Sequence, residues 1–353
     1  MSASLPRTTR AAVYEGEGKV VIRDLPLAPP QRGELLVRIR ACGLCGSETL
    51  QWYADSKAPF VLGHEPVAEI AACGDGAKPA NGAPSFAVGE RVFVHHHAPC
   101  MTCRRCRRGD YVQCETWRAT RLAPGALAQF AVVPQASVLH DVLRLPSALS
   151  DERATLIEPL ATVVKSVRRS GMRGGDRVLV IGLGAMGMLH MLVARAQGAE
   201  LVLGADRVPA RLERAERLGA HAAIDVDSTP LRERVMQLTN DEGAEIVFVT
   251  PGSRAALETA SSCVARGGTI VVFTPLAPGE PWNIDVNDLF FRDVNIVMSY
   301  SAGPDDTREA LDLLNGGLAV EPLFTHRFSL DEAAKAYAAL KSPDEALKVI
   351  VYP

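Results

Sequence analysis

The sequence holds no uninterrupted apolar run of the roughly 18 residues that a membrane-crossing helix requires. Its opening stretch, "MSASLPRTTRAAVYEGEG", lacks an apolar core of signal-peptide length. Neither sign of charge dominates: 38 Lys and Arg stand against 41 Asp and Glu, for a net charge of −3. That excludes the strongly basic surface that grips nucleic acid or an acidic membrane. Aromatic residues are scarce, at 5%, and are not interleaved with basic ones. Internal repeats are absent. These absences lead us to expect a soluble, cytoplasmic protein with no nucleic-acid or membrane partner. What remains is globular composition, 47% hydrophobic and 22% charged. At 353 residues the chain is long enough for two domains and a sizeable core.

Four of the eight cysteines crowd into "PCMTCRRCRRGDYVQC" as Cys100, Cys103, Cys106 and Cys114. In a reducing compartment structural disulfides are not expected, and cysteines at two-residue gaps read as metal ligands. Four thiolates close a tetrahedron around zinc and leave no open position, which is the mark of a structural site. Two other readings are four unrelated thiols, or arginines among them gripping nucleic acid. The second lacks a basic domain and a second finger, so the arginines read as the solvated face of an exposed lobe.

The two halves of the chain follow different patterns. "RAAVYEG", "KVVIRDLP", "ELLVRIRA", "PVAEIAACG", "GERVFVHHH" and "QFAVVP" are short apolar or alternating runs punctuated by Gly, Pro and Asp. They predict a small, irregular β-barrel, with "GDGAKPANGAPS" (Gly74 to Ser85) as a surface loop. From about Arg173, apolar strands such as "DRVLVIGLG", "AELVLGAD", "AEIVFVT", "GGTIVVFT" and "VNIVMSY" alternate with helical segments. That alternation predicts an α/β, doubly wound parallel sheet. Two helical patterns and the strand "KVIVYP" close the chain.

Gly182, Gly184 and Gly187 form G-x-G-x-x-G between a predicted strand and a predicted helix. That context is what gives the motif meaning. The glycines let backbone approach a pyrophosphate, and the helix N-terminus supplies N–H donors and partial positive charge. Asp206 ends the next predicted strand and is placed to accept from the adenosine ribose hydroxyls, which favours NAD over NADP. Arg207 follows it and offsets part of that preference. Further upstream, "ACGLCGSE" and "LGHEP" bring Cys45, His64 and Glu65, and Glu158 stands inside the apolar run "TLIEPLA". An acid buried there is costly unless paired, and a nearby zinc removes the cost.

Taken together, "CGLCGSE", "GHEP", the four-cysteine lobe, "EPLATVV", "GLGAMG" and "ALKVIVYP" resemble the zinc-dependent medium-chain alcohol dehydrogenases over nearly the whole chain. The set looks more like the sorbitol and threonine dehydrogenase branch. The resemblance implies a GroES-like catalytic domain over 1–160, a Rossmann domain over 161–299 and a return segment of the catalytic domain over 300–353. It implies two zinc ions, a structural one on the four cysteines and a catalytic one in the cleft between domains. Cys45, His64, Glu65 and Glu158 would hold the catalytic ion, with Glu65 and Glu158 competing for one position. Zinc would lower the pKa of a substrate hydroxyl, Ser47 would take its proton, and hydride would pass to NAD. The expected partners are a small alcohol or polyol and further copies of the chain, as homo-dimer or homo-tetramer.

Two positions depart from the family pattern. Glu48 stands where the family usually has Asp, against the zinc-bound histidine. Leu50 stands where many members have a relay histidine, so the relay would end on cofactor ribose and water. His95, His96 and His97 end a predicted strand, so alternate rings should face opposite ways and a packing or pocket-lining role is favoured. Trp52, Tyr53, Trp117 and Arg118 are read as structural more than pocket-lining. Two rival readings are a zinc-free quinone or enoyl reductase of the same fold and a non-catalytic binding protein. The first leaves Cys45, His64 and Glu158 without a purpose, and the second does not need an intact hydride site.

Overall fold

Strands form in the first half where burial alternates or runs continuously. In Leu35–Leu44, Leu35, Leu36, Val37 and Ile39 are buried while Arg38 points out. The computed structural model describes residues 5–342 and 346–353. The chain divides into two compact units. The first comprises Met1–Ala161, Ala302–Gly317 and Phe324–Pro353, and the second Thr162–Ser301 and Leu318–Leu323.

The first unit holds two sheets. A seven-stranded sheet runs in the order Phe324–Ser329, Lys348–Tyr352, Leu35–Leu44, Glu65–Cys73, Arg91–Val94, Val142–Arg144, and Phe130–Val133 pairs with Leu35–Leu44. A three-stranded sheet places Thr8–Gly16 between Lys19–Pro26 and Phe60–Val61. Backbone bonds from Ile39 N–H to Gln129 O and from Gln129 N–H to Arg10 O tie them together. The loop expected at Gly74 to Ser85 lies between the antiparallel strands Glu65–Cys73 and Arg91–Val94. Tyr14, Leu35, Leu62, Ile70 and Leu127 are fully buried in the core, each contributing about 1.5–3 kcal/mol.

The second unit carries a six-stranded parallel sheet. Its order is Ala222–Asp225, Leu201–Asp206, Arg177–Ile181, Ala244–Val249, Val264–Val272, Asn295–Met298. The first three strands in sequence stand reversed and the next three follow outward, which puts the switch point at the end of Arg177–Ile181. Strands buried on both faces explain the continuous apolar runs: Val178, Leu179 and Val180 are fully buried. Among the described residues no helix is long and apolar enough to cross a membrane.

Candidate metal and cofactor sites

In the lobe, Cys100, Cys103, Cys106 and Cys114 bring their sulfurs within 4.8 Å of one another. Closest separations are 3.5 Å for Cys103–Cys106, 3.7 Å for Cys114–Cys100 and 4.0 Å for Cys100–Cys106. A tetrahedron with Zn–S of about 2.3 Å has edges of about 3.8 Å, so the thiols already stand where zinc needs them. Hydrogen bonds from Thr102 and the Cys103 backbone draw Cys100 down to about 5. Burial, with the neighbouring sulfurs, pushes Cys106 up to about 12. A cation among them answers both. Trp117 is buried in this lobe and stacks on His97 at 3.9 Å between ring centres. Arg118 is exposed and donates to Gln113 Oε1.

The second cluster forms where three strands meet. Antiparallel pairing sets Gly43 opposite Glu65 on one side and Ile350 on the other. The space beside Gly43 is filled by the Glu65 carboxylate and the Lys348 side chain. A Cβ at Gly43 would lie 2.1 Å from Glu65 Oε2, so any larger residue there would push the Glu65 and Lys348 side chains out of place. Cys45 follows directly after Leu35–Leu44 and caps the short turn Gly46–Thr49. His64 precedes the strand that Glu65 opens. Donor atoms of Cys45, His64 and Glu65 lie within 4.8 Å of one another.

Polar partners fix each member. Ser47 Oγ–H donates to Cys45 Sγ at 3.2 Å, joined by the Ser47 backbone N–H at 3.5 Å. Glu48 is buried, accepts from Gly63 N–H at 2.7 Å and faces His64 Nδ1 at 3.5 Å. Burial alone would raise its pKa, but the bond and charge of His64 and two backbone N–H groups bring it below the usual value. The longer acid thus still reaches the histidine. Lys348, which sequence reasoning missed, donates to Glu65 Oε2 and to Leu44 O and is 3% exposed. Burial works against its charge, but Glu65 holds its pKa above the usual lysine value. Its only signal was a lysine inside the apolar "ALKVIVYP". Glu65 Oε1 is buried without a hydrogen-bond partner, an atom that a metal ion would satisfy.

Glu158, in the first turn of Ile157–Ser170, is 5% exposed; its carboxylate lies within 4.8 Å of donor atoms of His95 and His96, and its charge also acts on Glu65 and Lys348. The expectation that the three histidines alternate fails because the strand stops at Val94. Period-two alternation ends with it, and His95 and His96 converge. His97 turns away, its Nδ1 at 2.9 Å from Thr120 O. Leu50 sits at the junction of Gly46–Thr49 and the helix Gln51–Asp55, and Trp52 is exposed. Tyr53 lies under the Lys57 ammonium.

In the second unit, Gly182 follows Arg177–Ile181 with φ +88° and Gly184 caps the helix Ala185–Ala196. A Cβ on Gly187 would fall 1.9 Å from Gly182 O, so helix and turn could not pack as they do. Asp206 ends Leu201–Asp206. Its Oδ2 accepts from Leu183 N–H at 2.6 Å, and its Oδ1 from Arg207 and Val208 N–H at 2.8 and 3.0 Å. The carboxylate is thereby locked to the glycine turn. Arg207 is exposed, whereas Arg211, which sequence reasoning did not single out, reaches Asp206 Oδ2 at 3.5 Å. Buried Arg211 Nε has no partner.

Residues 31–147 match the alcohol dehydrogenase GroES-like domain family, and residues 185–316 the zinc-binding dehydrogenase family. The chain is 30% identical to a sorbitol dehydrogenase of Bacillus subtilis (strain 168), over 100% of this chain and 99% of that one. It is 32% identical to the alcohol dehydrogenase TADH from Thermus sp. ATN1, with a TM-score of 0.85 over 97% of this chain and 99% of that one. A dehydrogenase-fold chain from Sinorhizobium meliloti 1021 solved bound to NADP shares 25% identity at a TM-score of 0.86, covering 99% of this chain and 100% of that one. With both family models matched and the likeness running end to end, the chain belongs to the zinc-dependent medium-chain alcohol dehydrogenase family and is an oxidoreductase acting on CH–OH groups.

Proposed function

We propose that this protein oxidises a secondary alcohol or polyol with NAD as hydride acceptor, using zinc held by Cys45, His64 and a carboxylate position for which Glu65 and Glu158 compete. The convergence of donors from Cys45, His64 and Glu65, together with a buried Glu65 Oε1 that has no hydrogen-bond partner, carries this reading. Bound zinc supplies Lewis acidity that lowers the pKa of a substrate hydroxyl, and NAD accepts the hydride. The chain's residues do the rest. Ser47 Oγ–H donates to Cys45 Sγ, which leaves its oxygen lone pairs free to accept a hydrogen bond from the substrate hydroxyl; to relay the proton, Ser47 would turn its own O–H to an onward acceptor and release that proton as it takes up the substrate's. Glu48 orients the His64 ring from behind. Lys348 anchors Glu65 by one oxygen, against the burial that pushes the carboxyl's pKa up, and leaves the other without a hydrogen-bond partner. Leu50 offers no titratable group, so bound cofactor ribose and water would have to supply the onward proton acceptor.

NAD is our proposed cofactor because Asp206 is pinned by three backbone N–H groups beside the glycine turn, where its charge repels a 2′-phosphate. The four sulfurs would hold a second, structural zinc. We place the protein in a reducing cytoplasm, where its eight free thiols persist, and read it as a homo-oligomer. The edge strand Asn295–Met298 and its surroundings expose Val286, Phe290, Phe291, Met298 and Tyr300 at 56–73%, an apolar area that favours pairing with a second copy.

A panel of polyols, amino alcohols and secondary alcohols, followed by NADH absorbance, tests the activity. At least one class should be turned over, with activity lost on chelation and restored by zinc. Equal turnover before and after complete zinc removal would favour the zinc-free reductase reading instead.

A further inference from the structure

We propose that His96 is a substrate-recognition residue. Its ring Nε2 hydrogen-bonds a second hydroxyl, on the carbon next to the one oxidised, so that the site selects vicinal diols and longer polyols over simple secondary alcohols. This rests on the dehydrogenase reading above and narrows its substrate class.

Three adjacent histidines meet three different surroundings. The strand Arg91–Val94 ends before them, and backbone pairing continues for one more bond, from His95 N–H to Asp141 O. His95 is fully buried. Its Nδ1 lies 2.6 Å from Asp141 Oδ2, and Asp141 Oδ1 accepts from Thr307 Oγ1–H. His97 is buried as well, with Thr120 O and Arg121 at its Nδ1 and Trp117 stacked on its ring. His96, between them, is half-buried and makes no side-chain hydrogen bond to any described residue.

The His96 ring is nevertheless held in place. Its centre is 5.1 Å from that of His95 and 4.0 Å from that of His97, and both of those rings are anchored by their own bonds. Its Nδ1 is buried without a partner, while Nε2 is not buried and also has no protein partner. A buried N–H with nothing to receive it is harder to tolerate than a buried lone pair. The neutral ring therefore carries its proton on Nε2, and the residue offers a preoriented donor on its open side.

The remaining neighbours of His96 belong to the candidate metal centre. The His64 ring is 5.0 Å away between centres, and a carboxylate oxygen of Glu158 is within 4.8 Å of a His96 nitrogen. A hydroxyl bound at that centre has His96 beside it. Ser47, hydrogen-bonded to Cys45 Sγ, serves the proton of that hydroxyl, which leaves His96 to the next oxygen along the substrate. A polyol supplies such an oxygen. A simple alcohol sets a hydrocarbon group against the N–H. A site with a placed hydrogen-bonding group rejects the analogue that lacks the matching hydroxyl, because its own polar group is left unpaired.

The test compares butane-1,2-diol with butan-2-ol, which share the secondary carbinol and differ by a hydroxyl on the adjacent carbon. Calorimetric titration of the zinc-loaded chain without cofactor reads binding apart from turnover. The diol should bind about tenfold more tightly than butan-2-ol, and kcat/KM with NAD should favour it at least as strongly. His96→Phe keeps an aromatic ring against His97 but removes the N–H, and should bring both ratios to within about twofold of unity. His96→Gln returns an amide N–H near the position of Nε2 and should restore part of the preference. A diol preference that His96→Phe leaves intact, or equal affinity for the two alcohols in the unmodified chain, would overturn the role of His96. Diol-selective binding with no turnover of either alcohol would overturn the dehydrogenase reading instead and leave the His96 contact standing.

Discussion

At the scale of single residues, the site rests on polar groups whose partners are few and buried. Lys348 is the clearest case. Removing it strands the Glu65 carboxylate in a fully buried position. Lys348→Met should cost about 3–5 kcal/mol of stability, read from urea unfolding, and Glu65→Gln in the same chain should recover part of the loss. No loss in the single variant would mean the pair is not what holds these strands. Asp206 gives a second prediction. Asp206→Gly removes a charged acceptor worth about 1.5–3 kcal/mol, so kcat/KM with NAD should fall roughly 10–100-fold. Turnover with NADP should rise, since Arg211 lies within 3.5 Å of the vacated carboxylate. Preference for NADP in the unmodified protein would remove Asp206 from the ribose contact. Residue identity alone showed Cys45, His64, Glu65 and Asp206 to be candidates. It could not show Lys348 or Arg211, whose roles come from strand register and helix phase.

At the scale of elements, the helix Ala185–Ala196 buries His190 completely. Its Nδ1–H donates to Met186 O at 2.8 Å, and Nε2 accepts from Ser166 Oγ–H at 3.0 Å. Burial pushes its pKa down to about 4. The unfolded chain takes up a proton near pH 6.5 that the folded chain refuses until about pH 4. Stability therefore falls as pH drops through that window, by about 3 kcal/mol in full, and is unaffected above it. Melting temperature against pH should show this slope, and His190→Asn should flatten it. An identical slope in the variant would assign the effect elsewhere. In the lobe, Cys106→Ser should lower metal content and melting temperature while leaving NAD affinity within about twofold, because the lobe and Gly182–Gly187 belong to different units. Periodicity made most of these elements readable in advance. Where it failed, at His95 to His97, the reason was a strand ending three residues before the apolar-aromatic run does.

For the whole molecule, chain order alone revealed a β-rich first half, an α/β second half and a return strand. The parallel sheet follows from apolar runs that are buried on both faces. The pairing of Lys348–Tyr352 with Leu35–Leu44 is different in kind: it joins residues about 300 apart, and no local pattern encodes it. Self-association belongs to this scale as well. Phe290→Asp with Met298→Lys should shift the protein towards monomer in sedimentation, and unchanged mass would move the interface elsewhere. The central claim is direct hydride transfer from a carbinol carbon to NAD under zinc control. It is tested most directly by deuterating the best alcohol of the panel at that carbon and weighing the reduced cofactor. The account requires one deuterium per NADH from the labelled substrate, none from heavy water, and no product from zinc-stripped enzyme. Unlabelled NADH, or labelled NADH formed equally well without zinc, would contradict it.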